Sequence, residues 1–168
     1  DHSTYFQHDG AFSATWVISE APRSVLYDTA FTNLAAPDLI PGLLRKRLTL
    51  LLQPLPPGRA ARIVDQGVRD AQFRVARKMR PNPRDLHDLE AANVSAQEEA
   101  TGAGLVDWSL LYTVTAQSRE DLDELTNRIR DTSAAVRLRM HLARDWQAAA
   151  FATTLPGPIV PSRMATIR

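Results

Sequence analysis

Residues Thr101 to Ser109, TGAGLVDWS, contain the glycine pair most like a phosphate cradle. Such a cradle needs the spacing G-x-x-x-x-G-K-[ST], because backbone amides wrap the phosphates while the lysine and hydroxyl serve the outer phosphate and its metal ion. Gly102 and Gly104 have no such lysine, so they read as a helix stop, and no nucleotide site is expected. His2, His8, His87 and His141 fall at no metal-ligand spacing and are predicted to be exposed or at strand edges. With no cysteine, the chain has no thiolate nucleophile, no disulfide and no cysteine-ligated zinc. Asp and Glu could meet in space as acid and base, but no spacing singles out a pair. Trp16, Trp108 and Trp146 sit in apolar patterns and are expected in the core rather than on a stacking platform. No catalytic, cofactor-binding or metal residue is assigned.

Arginine is the residue type in excess, 18 against 2 lysines, and Arg59, Arg62, Arg69, Arg74, Arg77 and Arg80 fall on one stretch. Basic and acidic residues nearly cancel over the chain, 20 against 19, so its net charge of +1 lacks the signature of a protein that works mainly by neutralising phosphates. Asp65 and Asp70 interrupt the basic stretch, and Asp85, Asp88, Glu90, Glu98 and Glu99 follow it, placed to pair with it. Charge balance within a helical hairpin, with Arg62, Arg69, Arg74 and Arg77 as candidate partner-binding residues, is therefore favoured. The alternative is a nucleic-acid-binding domain using the arginine-rich helix 59–80, although no nucleic-acid motif accompanies the charge.

The elements that must carry these residues follow from periodicity. AFSATWVIS alternates, with Phe12, Ala14, Trp16 and Ile18 on one face of a first strand. Tyr27 to Ala36 predicts a short helix. Arg47 to Gln53 is a more uniformly apolar strand, ended by Pro54, Pro56 and Pro57, and is expected inside the sheet. From Gly58 to Met79 the pattern turns helical, with Ala61, Val64, Val68, Ala71, Val75 and Met79 on one stripe. Arg80-Pro-Asn-Pro is a turn, and Asp85 to about Ala100 forms a second arm with Leu86, Leu89, Ala96 and Ala100 on a shared side. Val106 to Thr115 alternates as a third strand. Ser118 caps a helix carrying Leu122, Leu125 and Ile129. Val136, Leu138, Met140 and Leu142 predict a fourth strand, followed by a helix over Trp146 to Thr154.

This order predicts an α+β fold: a mostly antiparallel split βαβ (ferredoxin-like) sheet with an inserted helical hairpin at about 58–103. Polar alternation along the third strand predicts one uncovered sheet face. Residues 1–156 are expected to form one domain and 157–168 an extended tail. At 168 residues, 44% hydrophobic and 23% charged, the chain can bury a core, and no run approaches the ~20 apolar residues of a membrane span. The start at Asp1 suggests a piece of a longer protein, so any membrane segment is expected outside it.

The stretch DGAFSATWVISEAPRS resembles the opening of a domain in membrane proteins of actinobacterial conjugative elements, themselves similar to the amino-terminal domain of type IV secretion ATPases of the TrbE, CagE and VirB class. RKRLTLLLQPLPPGRAAR resembles that family's strand, proline-rich exit and hairpin entry, LLYTVTAQSREDLDEL its strand and serine-capped helix, and WQAAAFATTLPGP its closing aromatic and L-P signature. Ala21 stands where the family pattern has a second tryptophan. The resemblance implies a non-catalytic assembly domain of a DNA-transfer apparatus at the cytoplasmic side of the membrane. It would have other secretion or conjugation proteins as partners, and homo-oligomerisation is open. No Walker motor follows LPGP, so ATPase activity is not carried over and no cofactor is implied.

Overall fold

The computed structural model describes residues 2–20, 32, 41–136 and 138–157. Of the helix expected over 27–36 only Thr32 is described, and it is helical; the tail beyond 157 lies outside the described residues. The chain divides into two compact units, residues 1–51 with those from Trp108 onward, and residues 52–107. The first unit is built on strands β1 (Phe6–His8), β2 (Ala11–Glu20), β3 (Leu43–Pro54), β4 (Val106–Ala116) and β5 (Arg139–Leu142), the far ends of β3 and β4 belonging to the second unit.

A two-residue turn starts the sheet. Asp9 and Gly10 both take positive φ, 47° and 75°, the backbone of a tight hairpin turn whose twist matches the flanking strands, and His8 pairs with Ala11. Strand β2 then pairs antiparallel with β4 from Phe12 to Val17 on one edge. On its other edge it pairs with β1 at Ala11 to Ser13 and with β5 from Trp16 to Glu20. Strand β3 lies beyond β4, and the Gln117 amide donates to the Gly42 carbonyl at its start. A side chain at Gly42, φ 79°, would overlap the Asp121 carboxylate. The order β5-β2-β4-β3 is that of a ferredoxin-like split βαβ sheet, with β1 added beside β5, so the α+β class holds.

One sheet face packs on α3 (Arg119–Ala135), whose first turn is set by Ser118: its hydroxyl accepts the Asp121 amide at 3.0 Å and donates to the Asp121 carboxylate at 2.7 Å. Leu122, Leu125 and Ile129 lie at helical spacing and meet Ala14, Trp16, Ile18, Leu110, Tyr112 and Val114. Each large apolar side chain so buried contributes about 1.5–3 kcal/mol. Trp16 is buried among them, whereas Trp108 and Trp146 are half-buried at the core's margins.

The second face is not uncovered, contrary to the reading of polar alternation. Ser13, Thr15, Ser109, Thr113 and Thr115 are all buried, beside a small cluster of Val17, Leu111, Ala143 and Ala150, the last on α4 (Gln147–Thr153). Four of them satisfy one another: Ser13 and Thr115 hydroxyls lie 2.7 Å apart, those of Thr15 and Thr113 2.9 Å, while the Ser109 hydroxyl has no partner among the described residues. Gln147 completes the layer. Its side-chain oxygen accepts the Thr15 amide at 2.8 Å and its NH2 donates to the Thr15 carbonyl at 3.2 Å, in the gap on β2 between β1 and β5.

Strand β3 departs from expectation too. It is the terminal strand of the sheet among the described residues, and Leu50, expected in the central sheet, is 55% exposed. The run Arg45-Lys46-Arg47 is the reason, since charges on a strand mark and protect an edge. Val136 closes α3 rather than opening the fourth strand, which begins at Arg139.

Replacing Leu110, 1% exposed, with alanine is expected to cost about 2–5 kcal/mol in urea denaturation, and the same change at Leu50 less than about 1 kcal/mol. Equal losses would return β3 to the core. Gln147→Leu keeps the bulk but strands the buried Thr15 amide, with an expected loss of about 1–3 kcal/mol and faster hydrogen exchange at that amide. Unchanged exchange at Thr15 would show the ladder closing without the glutamine.

Candidate docking surface

The second unit holds the arginine stretch. Its two helices are α1 (Pro57–Ala76) and α2 (Pro83–Ala100). The prolines fix both starts, because proline at the first helical position lacks only an amide that would have no intrahelical partner. Helix α2 is set more firmly: the Asn82 side chain accepts the Asp85 amide at 2.8 Å, and the Asp85 carboxylate accepts the Asn82 amide at 3.3 Å. Asp85 also accepts from Lys78 at 2.7 Å, which ties the end of the first arm to the start of the second.

The interface between the arms uses small side chains. Ala60, Val64 and Ala71 are buried and Val68 and Val75 half-buried on α1, facing half-buried Leu89, Ala92 and Ala96 on α2. Met79, Leu86 and Ala100, expected on the same stripes, are exposed: Met79 lies past the end of α1, Leu86 lies off the line through Leu89 and Ala96, and Ala100 is the last residue of α2.

All six arginines of the stretch are exposed. Arg74 reaches Asp88 on α2 at 3.8 Å, a half-exposed pair worth about 0–1 kcal/mol. Arg62 donates to the Gly58 carbonyl of its own helix, Arg77 lies over the Phe73 ring at 5.7 Å, and Arg69 has no ion pair among the described residues. Charge balance across the hairpin therefore rests on Asp85 and Asp88. Glu90, Glu98 and Glu99, expected to join it, have no ion pair among the described residues; Glu90 and Glu98 lie on the side of α2 away from Leu89 and Ala96, whereas Glu99 is half-buried on the side of Ala92 and Ala96.

A rotation of about 100° per residue brings Arg62, Arg69, Phe73 and Arg77 onto one line opposite the buried alanines and valines. Phe73, at the centre of this line, is 63% exposed. The sequence analysis assigned the arginines but missed Phe73, which the i, i+7, i+11, i+15 spacing from Arg62 would have located.

Two features of the sheet unit look chemical and do not form a site. His8 Nε2 lies 2.8 Å from the Ser13 hydroxyl, the contact of an activated nucleophile. Ser13 has no exposed surface and its hydroxyl is shared with Thr115, while the His8 ring packs on Phe151 at 4.4 Å, so the contact is structural. A cavity of about 190 Å³ lined by Tyr112, Val114, Leu125 and Ile129 with Arg128 and Asp131 is smaller than the about 300–1,000 Å³ typical of ligand pockets. His2, His87 and His141 are exposed, and among the described residues no three His, Asp or Glu side chains converge on a metal position. No described helix is long and apolar enough to cross a membrane. No protein-family model matches the chain, and no curated protein matches it significantly.

The hydrogen bond from Lys78, joined by the Asn82 amide and the charges of Lys78 and Arg74, holds the Asp85 carboxyl below its ordinary range despite its burial. A carboxyl lowered in the folded state stabilises it above the unfolded pKa of about 3.9 and loses that contribution as the pH falls through the folded value. The protection of amides in the second unit, measured against their intrinsic exchange rate, is therefore expected to fall below about pH 4, and Asp85→Asn to weaken the unit at neutral pH and flatten that dependence. An unaltered pH profile in the variant would remove Asp85 from the balance.

Proposed function

We propose that the chain is a non-catalytic docking domain that acts through protein–protein contacts, with the outer face of α1 as its contact surface. The observation that carries this reading is the exposed Phe73 set between Arg69 and Arg77, with Arg62 one further step along the same line. An aromatic ringed by arginines is the composition of an interface anchor, because the ring supplies buried area at little rotamer cost and the guanidinium groups orient the partner. The sequence resemblance supplies the setting, a conjugative DNA-transfer apparatus of the type IV secretion kind at the cytoplasmic side of the membrane. Other proteins of that apparatus are then the partners.

Nucleic acid is the competing reading for the same face, since bases stack on exposed aromatics and phosphates pair with arginine. Its electrostatic part is steeply salt-dependent, whereas an apolar anchor is not. Changing Arg62, Arg69, Arg74 and Arg77 together to glutamine is expected to leave thermal unfolding nearly unchanged, because among the described residues only Arg74 of the four has an acidic partner and that pair is half-exposed. In fluorescence anisotropy, single- and double-stranded DNA is expected to show no saturable binding to the unaltered chain at about 0.15 M salt. Binding that persists there and disappears in the fourfold variant would overturn docking and make α1 a nucleic-acid surface.

A further inference from the structure

The outward side of α2 carries a second triplet. Glu90, Val94 and Glu98 follow one another at i, i+4 and i+8, on the side of α2 away from Leu89, Ala92 and Ala96. All three are exposed, Val94 by 49%. On α1 the triplet Arg69, Phe73 and Arg77 has the same spacing, also faces away from the hairpin interface and has the opposite charge. Each triplet spans about 12 Å along its helix. One hairpin thus carries a basic edge with an apolar centre and an acidic edge with an apolar centre, matched in length.

Resting on the docking reading above, we propose that the partner is a second copy of this chain, the α1 face of one molecule lying against the α2 face of the next. With the two helices antiparallel, Phe73 meets Val94, Arg69 meets Glu98 and Arg77 meets Glu90. The arms of a single hairpin already run in this sense, as shown by Lys78 with Asp85 and Arg74 with Asp88 on successive steps away from the turn. A neighbouring molecule therefore continues the alternation of helix directions. A twofold pairing of α1 with α1 would set arginine against arginine, and one of α2 with α2 glutamate against glutamate. The favoured contact joins unlike faces, which propagates head to tail into a ring or an open row. Arg69, Glu90 and Glu98 have no ion pair within the molecule among the described residues, so the contact breaks none of theirs.

Light scattering behind size exclusion and sedimentation velocity, measured on the full chain over a range of concentrations at about 0.05 and 0.15 M salt, test the contact. Self-association is expected, and R69E/R77E or E90R/E98R is expected to weaken it at least tenfold. Joining both pairs in one chain restores opposite charges across the contact and is expected to recover association, as is mixing the two reversed variants. Recovery also shows that the reversals did not act by unfolding, which circular dichroism of each variant checks directly. A chain that stays monomeric at every concentration, or association that neither reversal weakens, would overturn the homotypic contact. Failure of this proposal is distinct from failure of the docking reading, which only salt-resistant DNA binding through the α1 arginines would overturn.

Discussion

The sheet depends on one side-chain amide. Strand β2 is the central strand, yet two separate short strands share one of its edges, leaving Thr15 between them. A buried backbone amide without an acceptor costs about 1–3 kcal/mol, so that gap must be filled. Gln147 fills it as a residue of a neighbouring strand would, accepting from the Thr15 amide and donating to its carbonyl, while the Ala143 amide donates to the same carbonyl at 3.0 Å. Two consequences follow. The start of α4 is fixed to β2, and β1 and β5 can be short because neither has to span the whole edge.

The same constraint explains why the second face can be polar and buried at once. Ser13, Thr15, Thr113 and Thr115 are buried, and each hydroxyl must find another. They do so in pairs across β2 and β4, at residues that stand opposite each other in the register. A one-residue slip of either strand would break both pairs and also turn Leu110 and Leu111 to the wrong faces. Buried polar pairs of this kind fix the register more sharply than an apolar layer of the same size, because only one arrangement satisfies them.

How much of this was legible depended on whether the signal was local. Strands β2 and β4 and helix α3 showed themselves through side-chain period and, for α3, through Ser118 and its spacing to Asp121. The turn before β2 was equally local, an Asp-Gly pair between two extended stretches, and was readable though missed. The burial of the second face was not local: it depends on Gln147, 132 residues after Thr15 in the chain, and polar alternation reads identically whether a face meets water or a glutamine-anchored helix. The edge position of β3 failed for a different reason, because an apolar run ended by prolines has the pattern of a central strand, and only Arg45, Lys46 and Arg47 argue otherwise. In the hairpin the arginines were found and their isolation was not. Counting acids on the second arm suggested neutralisation, but among the described residues the first arm pairs with Asp85 and Asp88, and helix phase turns Glu90 and Glu98 away from it.

That last distinction changes what the net charge says. A total of +1 was read as lacking the signature of a protein that works mainly by neutralising phosphates, which leaves room for a local basic surface. Here helix phase gathers Arg62, Arg69 and Arg77 into a line on α1, with Asp70 at its side, and Glu90 and Glu98 into a line on α2, so the sum is small while the two lines differ in sign. Separation of this kind favours a partner with the same separation. A polyanion can use only the basic edge and gains nothing from Val94, Glu90 or Glu98, whereas a protein surface with both edges uses every exposed group. The apolar centre of each triplet matters for the same reason: the flanking charges set orientation and are screened within about 8–10 Å at ordinary salt, while the contact of Phe73 with an aliphatic side chain is not screened. A docking surface built on Phe73 keeps its affinity where a purely cationic helix would lose it.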